Sequence, residues 1–314
     1  AQIDPGSLFH GEGHAPAPLN AAERTAGRAP GSLAEAVDLP DWLWSVFERD
    51  LGHGAQAAAQ AQQRRAPITL RVNQRMNVLA QAIEMLQKDG IDARENSRCA
   101  TALIVTSGAR KVRQSQAYLS GMVDLQDASS QAAMARITVP PGAKVLDYCA
   151  GGGGKTLALA ANMPADDTAR FFAHDIDPGR MGDVPARAAR AGVEITCVAP
   201  EDLCANAPFD IVLLDAPCSG SGTWRRSPDA KWRLTPERLD NLVRIQKDIL
   251  ESSRRLLTQG GQLYYTTCSV LTRENEAQVA AFCAAHPEFE LTDEARWPVT
   301  EDGDGFYFAA LSSS

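Results

Sequence analysis

The sequence of 314 residues has no run of 18 apolar residues and no basic-then-apolar leader, so neither a membrane span nor a secretory signal is expected. Its seven cysteines form no Cys-x-x-Cys pair and no zinc-type cluster with histidine. We therefore expect no metal site, and free thiols typical of a cytoplasmic protein. With 44% hydrophobic and 22% charged residues, the composition indicates a soluble globular protein of two or three domains, which we expect to be a monomer.

A net positive charge is also lacking. The formal net charge of −8 at first argues against a nucleic-acid partner. Its distribution weakens that argument, because residues 62–113 contain ten Lys/Arg and only four acidic residues, a local charge of +6 that leaves −14 for the rest. Local patches matter more than the total for phosphate binding, although a solvated surface is the alternative. A second candidate RNA contact is the basic run of Arg225, Arg226, Lys231 and Arg233.

Three regions follow from the hydrophobic pattern. Residues 1–62 form an N-terminal lead-in, irregular at first and then helical. Residues 63–130 mix strand and helix patterns and form a small α+β domain, too short to hold much core alone, which we expect to pack on residues 131–314. The elements predicted for the first two regions are helices at 41–51, 55–63 and 73–88 and strands at 68–72 and 102–106.

Regular strand–helix alternation fills residues 131–314. The alternation of apolar strands with helices predicts an α/β protein with a Rossmann-like, doubly wound, mostly parallel sheet. In such a sheet ligands bind outside the carboxyl ends of the strands, so the residues there are site candidates. Strands are predicted at 144–149, 169–175, 195–198, 210–215, 262–267 and 306–311, and helices at 155–162, 178–191, 236–258 and 274–285.

A glycine-rich loop, Cys149–Thr156, follows the first of these strands. A phosphate-binding loop of the GxxxxGK[ST] type would need glycine at 149, and a dinucleotide fingerprint would need glycine at 156. The third interpretation is a loop whose backbone approaches the carboxylate or ribose of a nucleoside. Asp175, at the end of the second strand, can hold both ribose hydroxyls. The loop and Asp175 together favour a nucleoside cofactor without a pyrophosphate, namely S-adenosylmethionine.

Two cysteines follow the fourth and fifth strands of the predicted sheet. Cys218 lies in the segment DAPCSGSGT and Cys268 in TTCSV. A single cysteine is most often inert packing. We expect that of Cys99, Cys197, Cys204 and Cys283. If the fourth and fifth strands are neighbours, however, Cys218 and Cys268 open onto one crevice, where a thiolate can be activated by positive charge or by backbone N–H groups.

Paired thiols beside a carboxylate suit one particular methyl transfer. Carbon 5 of cytosine is a poor nucleophile, but a thiolate that adds to carbon 6 pushes electron density onto it. A base must then remove the carbon-5 proton before the thiol can leave, and a carboxyl group near ring nitrogen 3 would stabilise the activated ring. One nucleophile, one carboxyl group and a second thiol match Cys268, Asp215 and Cys218. The residues alone leave open which thiol attacks.

Several segments resemble motifs of the RNA cytosine-5 methyltransferase family. They are DYCAGGGGKT, HDID, DAPCSGSGTWRRSPDAKW and TTCSVLTRENE. Within the family, the likeness is greatest for the bacterial Sun/RsmB-type enzymes of small-subunit (16S) ribosomal RNA. It extends over about residues 40–314 and includes LPDWLW, TLRVN at 69–73 and VDLQDASSQ at 123–131. The paired cysteine motifs are its most specific part.

The resemblance implies an S-adenosylmethionine-dependent enzyme that methylates carbon 5 of a cytosine in RNA through a covalent cysteine–cytosine intermediate. It implies that Cys268 is the nucleophile and that Cys218 assists release. The small domain is similar to the RNA-recognition-like module of the family. Cofactor contacts are implied at Cys149, Ala150, Gly151, Gly152, Gly153, Gly154, Lys155, Asp175, Asp202 and Asp215.

The sequence departs from the family pattern in two places. The usual loop reads Ala-Pro-Gly-Gly-Lys, whereas Gly151 and Gly152 replace Ala-Pro here, which predicts a more flexible loop. The relatives carry an N-terminal helical RNA-binding domain, but only a short lead-in starting at Ala1 precedes residue 40, so either that domain has been removed or the chain comes from a branch without it. A transfer-RNA substrate, a silent RNA-binding assembly factor and a nucleotide-binding ATPase or dehydrogenase remain alternatives.

Overall fold

The computed structural model describes residues 4–25, 29–164 and 166–314. In the N-terminal part, four helices precede a small sheet of four strands that carries two further helices. These elements are α1 (Ala21–Thr25), α2 (Leu33–Ala36), α3 (Asp41–Leu51), α4 (Ala55–Gln62), β1 (Thr69–Val72), α5 (Leu79–Lys88), β2 (Ala93–Glu95), β3 (Ala102–Val105), α6 (Gln116–Leu119) and β4 (Val123–Leu125).

The small sheet is antiparallel in the order β2-β3-β1-β4 and has its own apolar core. The sequence predicted β1, β3 and α5, but it missed β2 and β4, which are only three residues long. Helix α5 begins at Leu79 rather than at residue 73. The reason is that Asn73 donates to Gly121 O (3.1 Å) and Asn77 donates to Met122 O (3.2 Å), which holds the preceding segment in a turn.

The second part of the chain forms a seven-stranded sheet with its helices. Its elements are α7 (Ala128–Met134), β5 (Lys144–Asp147), α8 (Gly154–Ala161), β6 (Arg170–His174), α9 (Val184–Ala191), β7 (Ile195–Val198), α10 (Leu203–Asn206), β8 (Phe209–Asp215), α11 (Ala230–Arg233), α12 (Pro236–Ser253), β9 (Leu257–Thr267), α13 (Glu276–Ala285), β10 (Phe289–Trp297) and β11 (Phe306–Ser313).

The large sheet has the order β10-β11-β9-β8-β5-β6-β7, in which β5 to β9 are parallel and the two last strands add to one edge antiparallel. Successive residues of one strand point to opposite faces of the sheet and pack in two different apolar cores, as Val212 and Leu213 of β8 do. Both faces of the sheet are therefore buried. The predicted mostly parallel, Rossmann-like sheet is therefore confirmed. Strands β8 and β9 are neighbours, with Asp215 opposite Thr266.

The predicted junction between α12 and β9 was wrong. Strand β9 begins at Leu257, not at residue 262, and α12 ends at Ser253. The pair Gly260–Gly261 was interpreted as a break between helix and strand. It lies inside β9, where the register against β8 shifts and Gly260 has φ of 74°, as in a β-bulge. Strand β10 was missed because it is an edge strand whose residues are mostly polar and incompletely buried.

The expected domain limits do not separate independent units. Helices α3 and α4 of the lead-in pack on residues 131–314, where the rings of Phe47 and Trp224 stack with centroids 5.7 Å apart. Gln62 donates to the carbonyl oxygen of Ser221 (2.7 Å). The boundary expected after residue 130 falls inside α7, which packs on strands of both sheets. The lead-in therefore supports the loop that carries Cys218.

Close backbone contact between two glycines holds that loop against β11. Gly222 N donates to Cys268 O (2.9 Å), Gly305 N donates to Gly222 O (2.9 Å), and a Cβ on Gly222 would lie 2.3 Å from Gly305 O. We expect Gly222→Ala to lower the free energy of unfolding by about 1–3 kcal/mol. Urea unfolding checks this against Gly54→Ala, since a Cβ there meets nothing within 4 Å. Equal stability of the two variants would contradict the expectation.

Candidate active site

A cavity of about 620 Å³ opens at the carboxyl ends of β5, β6, β8 and β9. Its size is that of a small-molecule or cofactor site. Of the residues predicted for the site, the cavity wall contains Cys149, Ala150, Gly151, Gly152, Gly154, Lys155, Asp175, Asp215, Arg226 and Cys268. The predicted residues outside the wall are Gly153, Asp202, Cys218, Arg225, Lys231 and Arg233.

Asp175 fixes the start of the glycine-rich loop. Its Oδ2 accepts a hydrogen bond from Gly151 N (3.0 Å) and pairs with Arg180 (3.1 Å), and its side chain is buried. Gly151 has φ of 50° and Gly153 has φ of 73°, both in the left-handed region that favours glycine. A Cβ on Gly153 would lie 3.0 Å from the Val184 side chain, so this glycine packs the loop on α9 instead of facing the cavity.

Two arginines, one of them from the small domain, hold carbonyl oxygens of the same loop. Arg71 of β1 donates to Gly154 O (2.9 Å), and Arg187 of α9 donates to Gly152 O. Arg187 also pairs with Asp124 of β4 (2.8 Å). Burial lowers the pKa of Arg71 to about 10, so it remains charged at neutral pH. These contacts join residues far apart in sequence, and they restrain a loop that the sequence alone predicts to be flexible.

Asp147, the last residue of β5, is buried beneath the loop. Its Oδ2 accepts from Thr156 Oγ1 (2.7 Å), whereas its Oδ1 has no hydrogen-bond partner. Burial raises the pKa of Asp147 to about 6. Because the fold disfavours the charged form, the stability that this group contributes is complete below about pH 4 and is lost as the pH rises through about 6.

We expect Asp147→Asn to remove this pH dependence. The unfolding free energy of the wild type should fall by about 2–3 kcal/mol relative to the variant between about pH 4 and pH 8. Urea unfolding of both proteins across that range measures the difference. A constant difference between the two curves would show that Asp147 does not titrate in this way.

The two predicted thiols lie together. Cys218 Sγ and Cys268 Sγ are 3.4 Å apart, both side chains are partly exposed, and all seven cysteines of the chain are free. Cys268 lines the cavity, whereas Cys218 lines a second groove of about 630 Å³ that Arg233 and Arg238 also border. The thiol pair therefore stands between two openings, at the junction of neighbouring strands that the topology predicts.

Charge is distributed unequally around this pair. The carboxylate of Asp215 is 2.5 Å from Lys155 Nζ, and although burial lowers the pKa of Lys155, attraction to Asp215 raises it overall. The hydrogen bond between the two sulfur atoms lowers the pKa of Cys268, against the opposing effects of partial burial and of the Asp215 charge, and Lys155 and the Thr223 hydroxyl also lower it. The same hydrogen bond, together with burial, raises the pKa of Cys218 well above its usual value. The surroundings thus favour a thiolate on Cys268 and a thiol on Cys218.

A buried carboxylate that the sequence did not suggest connects the two cysteine loops. Glu274 accepts hydrogen bonds from Ser219 N (2.7 Å) and from the hydroxyls of Ser219 and Ser269. It was expected at the start of a helix, where acidic residues are usually solvated. The helix begins at Glu276 instead, and a 3-10 turn over Thr272–Glu274 directs the Glu274 side chain inward.

The basic run after Cys218 has a different role from the one expected. Arg225 and Lys231 are buried, with 1% and 4% of their side chains exposed; Arg225 pairs with Asp304 (2.6 Å) and Lys231 with Asp38. This burial contradicts the expectation that they clamp RNA phosphates, because their charges are already satisfied inside the protein. Arg226 reaches the cavity wall, although it too pairs with Asp304.

Of two further predicted cofactor contacts, Asp202 lies outside the cavity wall and Cys149 lines it. Asp202 is exposed in a 3-10 turn, Pro200–Asp202, outside the cavity wall, where its carbonyl oxygen accepts from Asn206 (3.0 Å). Cys149 does line the wall, but burial raises the pKa of its thiol, so it is suited to packing and not to nucleophilic attack.

Two kinds of feature do not occur in the part of the chain that the structure describes. None of its helices is both long enough and apolar enough to cross a membrane. Within the same residues, no three side chains of His, Cys, Asp or Glu converge as a metal site requires.

Comparison with known sequences identifies relatives for both domains. Residues 135–312 match the profile of the 16S rRNA methyltransferase RsmB/F family, and residues 39–112 match the ferredoxin-like domain of RsmF/B-like methyltransferases. Curated proteins from Yersinia pestis bv. Antiqua (strain Angola) and Yersinia pseudotuberculosis serotype O:1b (strain IP 31758), each named ribosomal RNA small subunit methyltransferase B, are 33% identical over 287 residues. The alignments cover 87% of this chain, which spans about two thirds (66%) of the length of these relatives.

Solved structures show the same architecture. The crystal structure of PH0851 superposes with a TM-score of 0.82 at 30% identity, covering 91% of this chain and 69% of that one. A methyltransferase homolog protein from Pyrococcus horikoshii gives a TM-score of 0.75 at 24% identity, covering 90% and 98%, a likeness of fold alone. The fold is that of Rossmann-like S-adenosylmethionine-dependent methyltransferases with an N-terminal ferredoxin-like domain. Because the family profile matches more than half of its length, the chain belongs to the RsmB/F family of 16S rRNA methyltransferases.

Proposed function

We propose that this protein transfers a methyl group from S-adenosylmethionine to carbon 5 of a cytosine in RNA, through a covalent bond between Cys268 and the base. The observation that carries the proposal is the pair of thiols 3.4 Å apart at the edge of the cavity. The Lys155–Asp215 ion pair lies in the same wall as Cys268. Methylation of an acceptor that is already nucleophilic would need neither thiol.

The cavity fits S-adenosylmethionine, the cofactor of this fold. Gly151 and Gly152 keep its wall free of side chains; a Cβ on either residue would crowd a neighbouring arginine, at 3.3 Å and 3.1 Å respectively. Asp175 stands at the strand end where sheets of this type hold ribose hydroxyls. The next residue, Ile176, is 84% exposed and offers an apolar surface for the adenine ring. When bound, S-adenosylmethionine supplies the methyl group that carbon 5 accepts.

Cys268 activates the base. Its thiolate adds to carbon 6 and forms a carbon–sulfur bond, and the electron pair of the C5–C6 double bond moves onto carbon 5, which becomes nucleophilic. Asp215, which Lys155 holds in place, is the group that we assign to the ring nitrogen 3 and amino side of the base. Charge that develops in the ring is stabilised most by groups that are already oriented before the reaction.

Cys218 removes the carbon-5 proton. While Cys268 is a thiolate, its hydrogen bond and charge keep Cys218 protonated. Bond formation to carbon 6 consumes that charge, so Cys218 can lose its proton to solvent through the groove that it lines. Its thiolate then takes the proton from carbon 5, the C5–C6 double bond re-forms, and the electron pair of the carbon–sulfur bond returns to Cys268. One proton is released overall, as the methylation requires.

Small-subunit ribosomal RNA is the substrate that we propose, and the cytoplasm the location. Family membership and the names of the curated relatives support this choice. The groove beside Cys218 supplies a path for the strand, with Arg233 and Arg238 at its border as candidate phosphate contacts. A target cytosine must be unpaired or flipped out to reach the thiols, so a single-stranded loop is the easiest target.

Bisulfite sequencing of total RNA, from cells with and without the protein, tests the proposal. We expect a cytosine-5 mark in small-subunit ribosomal RNA to disappear without the protein and to return with the wild type but not with Cys268→Ala. Loss of a mark only in transfer RNA would reassign the substrate. If no cytosine-5 mark in any RNA depended on the protein, the proposed reaction would be wrong.

A further inference from the structure

The serine after each cysteine binds the same carboxylate. Ser219 follows Cys218 and Ser269 follows Cys268, and both hydroxyls donate to Glu274 Oε2 at 2.5 Å. Each serine oxygen also accepts from a backbone N–H, Ser269 Oγ from Leu271 (3.0 Å) and Ser219 Oγ from Ser221 (3.3 Å). The Glu274 carboxylate thus accepts hydrogen bonds from two hydroxyls and from one backbone N–H.

The same carboxylate is also linked, through Gln246, to the residue before Cys218. Gln246 of α12 donates to Glu274 Oε1 (3.0 Å) and to the carbonyl oxygen of Pro217 (2.9 Å), the residue before Cys218. All of these donors are neutral, and Glu274 is fully buried. Among the described residues, no Lys, Arg or His forms an ion pair with it. A carboxylate without a counter-ion is therefore buried at the base of the cysteine loops.

We propose that Glu274 is a positioning residue that holds the two thiols in register and assigns their roles. Its carboxylate binds both neighbours of Cys218, Ser219 directly and Pro217 through Gln246, but only the serine after Cys268 on the other side. The carboxylate is therefore attached more closely to the loop of Cys218 than to that of Cys268. This inference rests on the proposed function, because the roles of nucleophile and base belong to it. The contacts of Glu274 are present without RNA or cofactor. Glu274 would thus decide which cysteine attacks and which one waits as the base.

The other charged groups near the thiols, Lys155 and Asp215, act on Cys268 in opposite directions. Lys155 stabilises a thiolate on Cys268, and Asp215 opposes it. On the side of Cys218, Glu274 adds to the rise in pKa that the hydrogen bond to Cys268 and burial produce. The hydroxyl of Tyr265 donates to the carbonyl oxygen of Glu274 (2.6 Å) and stays neutral, since burial raises its pKa well above the usual value.

Thiol alkylation without RNA or cofactor tests the proposal. Iodoacetamide labelling across about pH 6 to 10, resolved by mass spectrometry at each cysteine, should modify Cys268 before Cys218 in the wild type. Glu274→Gln keeps the shape but removes the charge, and we expect the preference for Cys268 to fall by about tenfold or more. Glu276→Gln is the matched control, because Glu276 pairs with Arg296 away from the thiols and its variant should keep the wild-type order.

Two outcomes of the alkylation experiment would overturn the proposal. An unchanged preference in folded Glu274→Gln would overturn the assignment of roles by Glu274. Faster labelling of Cys218 than of Cys268 in the wild type would overturn it even if the variant did not fold. Failure of the proposed function looks different, because RNA would then lack the methyl mark while the order of alkylation stayed as expected.

Discussion

Cys268→Ala is expected to abolish methyl transfer and to leave no covalent complex with RNA. Without the thiol, nothing adds to carbon 6, so carbon 5 never becomes nucleophilic, and the rate should fall by at least about 10⁴-fold. Transfer of a labelled methyl group from S-adenosylmethionine to small-subunit ribosomal RNA measures the rate. A denaturing gel shows whether a protein–RNA adduct forms.

Cys218→Ala is expected to give the opposite pattern on that gel. The variant keeps Cys268 but lacks the base that removes the carbon-5 proton, so the methylated base stays bound and the adduct accumulates. Cys204→Ala is the control, because this exposed thiol lies outside the cavity wall and its variant should behave like the wild type. If Cys268→Ala trapped the adduct and Cys218→Ala did not, the two roles would be the reverse of those proposed here.

The sequence was enough to predict that these two thiols lie close together. Both follow apolar strands, and the strand–helix alternation predicts a parallel sheet whose strands end at one edge. The structure shows β8 and β9 side by side, and it places Cys268, Asp175 and Asp215 in one cavity wall. A pattern of this kind succeeds because strand topology fixes which ends meet, even when individual strand limits are wrong.

What the sequence could not show were the partners of charged side chains. Arg225 and Lys231 have the spacing and composition of a phosphate clamp, yet they pair with Asp304 and Asp38 in distant parts of the chain. Local composition gives the charge of a residue but not the carboxylate that will face it after folding. Glu274 was missed for the same reason, since only the folded chain brings it to the serines beside the cysteines.

The division of labour between the thiols also needed the structure. From the sequence, Cys218 and Cys268 are equivalent, and only the family resemblance separates their roles. In the fold, Lys155 and the Thr223 hydroxyl stabilise charge on Cys268, while Cys218 adjoins the buried carboxylate of Glu274. This difference in surroundings agrees with Cys268 as the nucleophile that the resemblance implies, although Asp215 opposes a thiolate there.

The ion pair of Lys155 and Asp215 should be nearly as important as the nucleophile. Asp215→Asn keeps the shape of the side chain but removes the charge that orients Lys155, and we expect single-turnover methylation at saturating cofactor to slow by about 10²–10³-fold. Lys155→Met should cost some stability as well, because it leaves Asp215, whose side chain is 33% exposed, without its counter-ion. Urea unfolding and single-turnover rates measure the two effects separately.

The double variant Lys155→Met/Asp215→Asn distinguishes a structural pair from a catalytic one. With neither charge present, we expect it to regain most of the stability that Lys155→Met loses, because no unpaired charge remains in the wall. Its methylation rate should stay as low as that of the slower single variant, since residues that act as a unit do not lose activity additively. If the double variant recovered activity together with stability, the pair would only support the fold. If its loss of methylation rate equalled the product of the two single losses, Lys155 and Asp215 would act on the base independently.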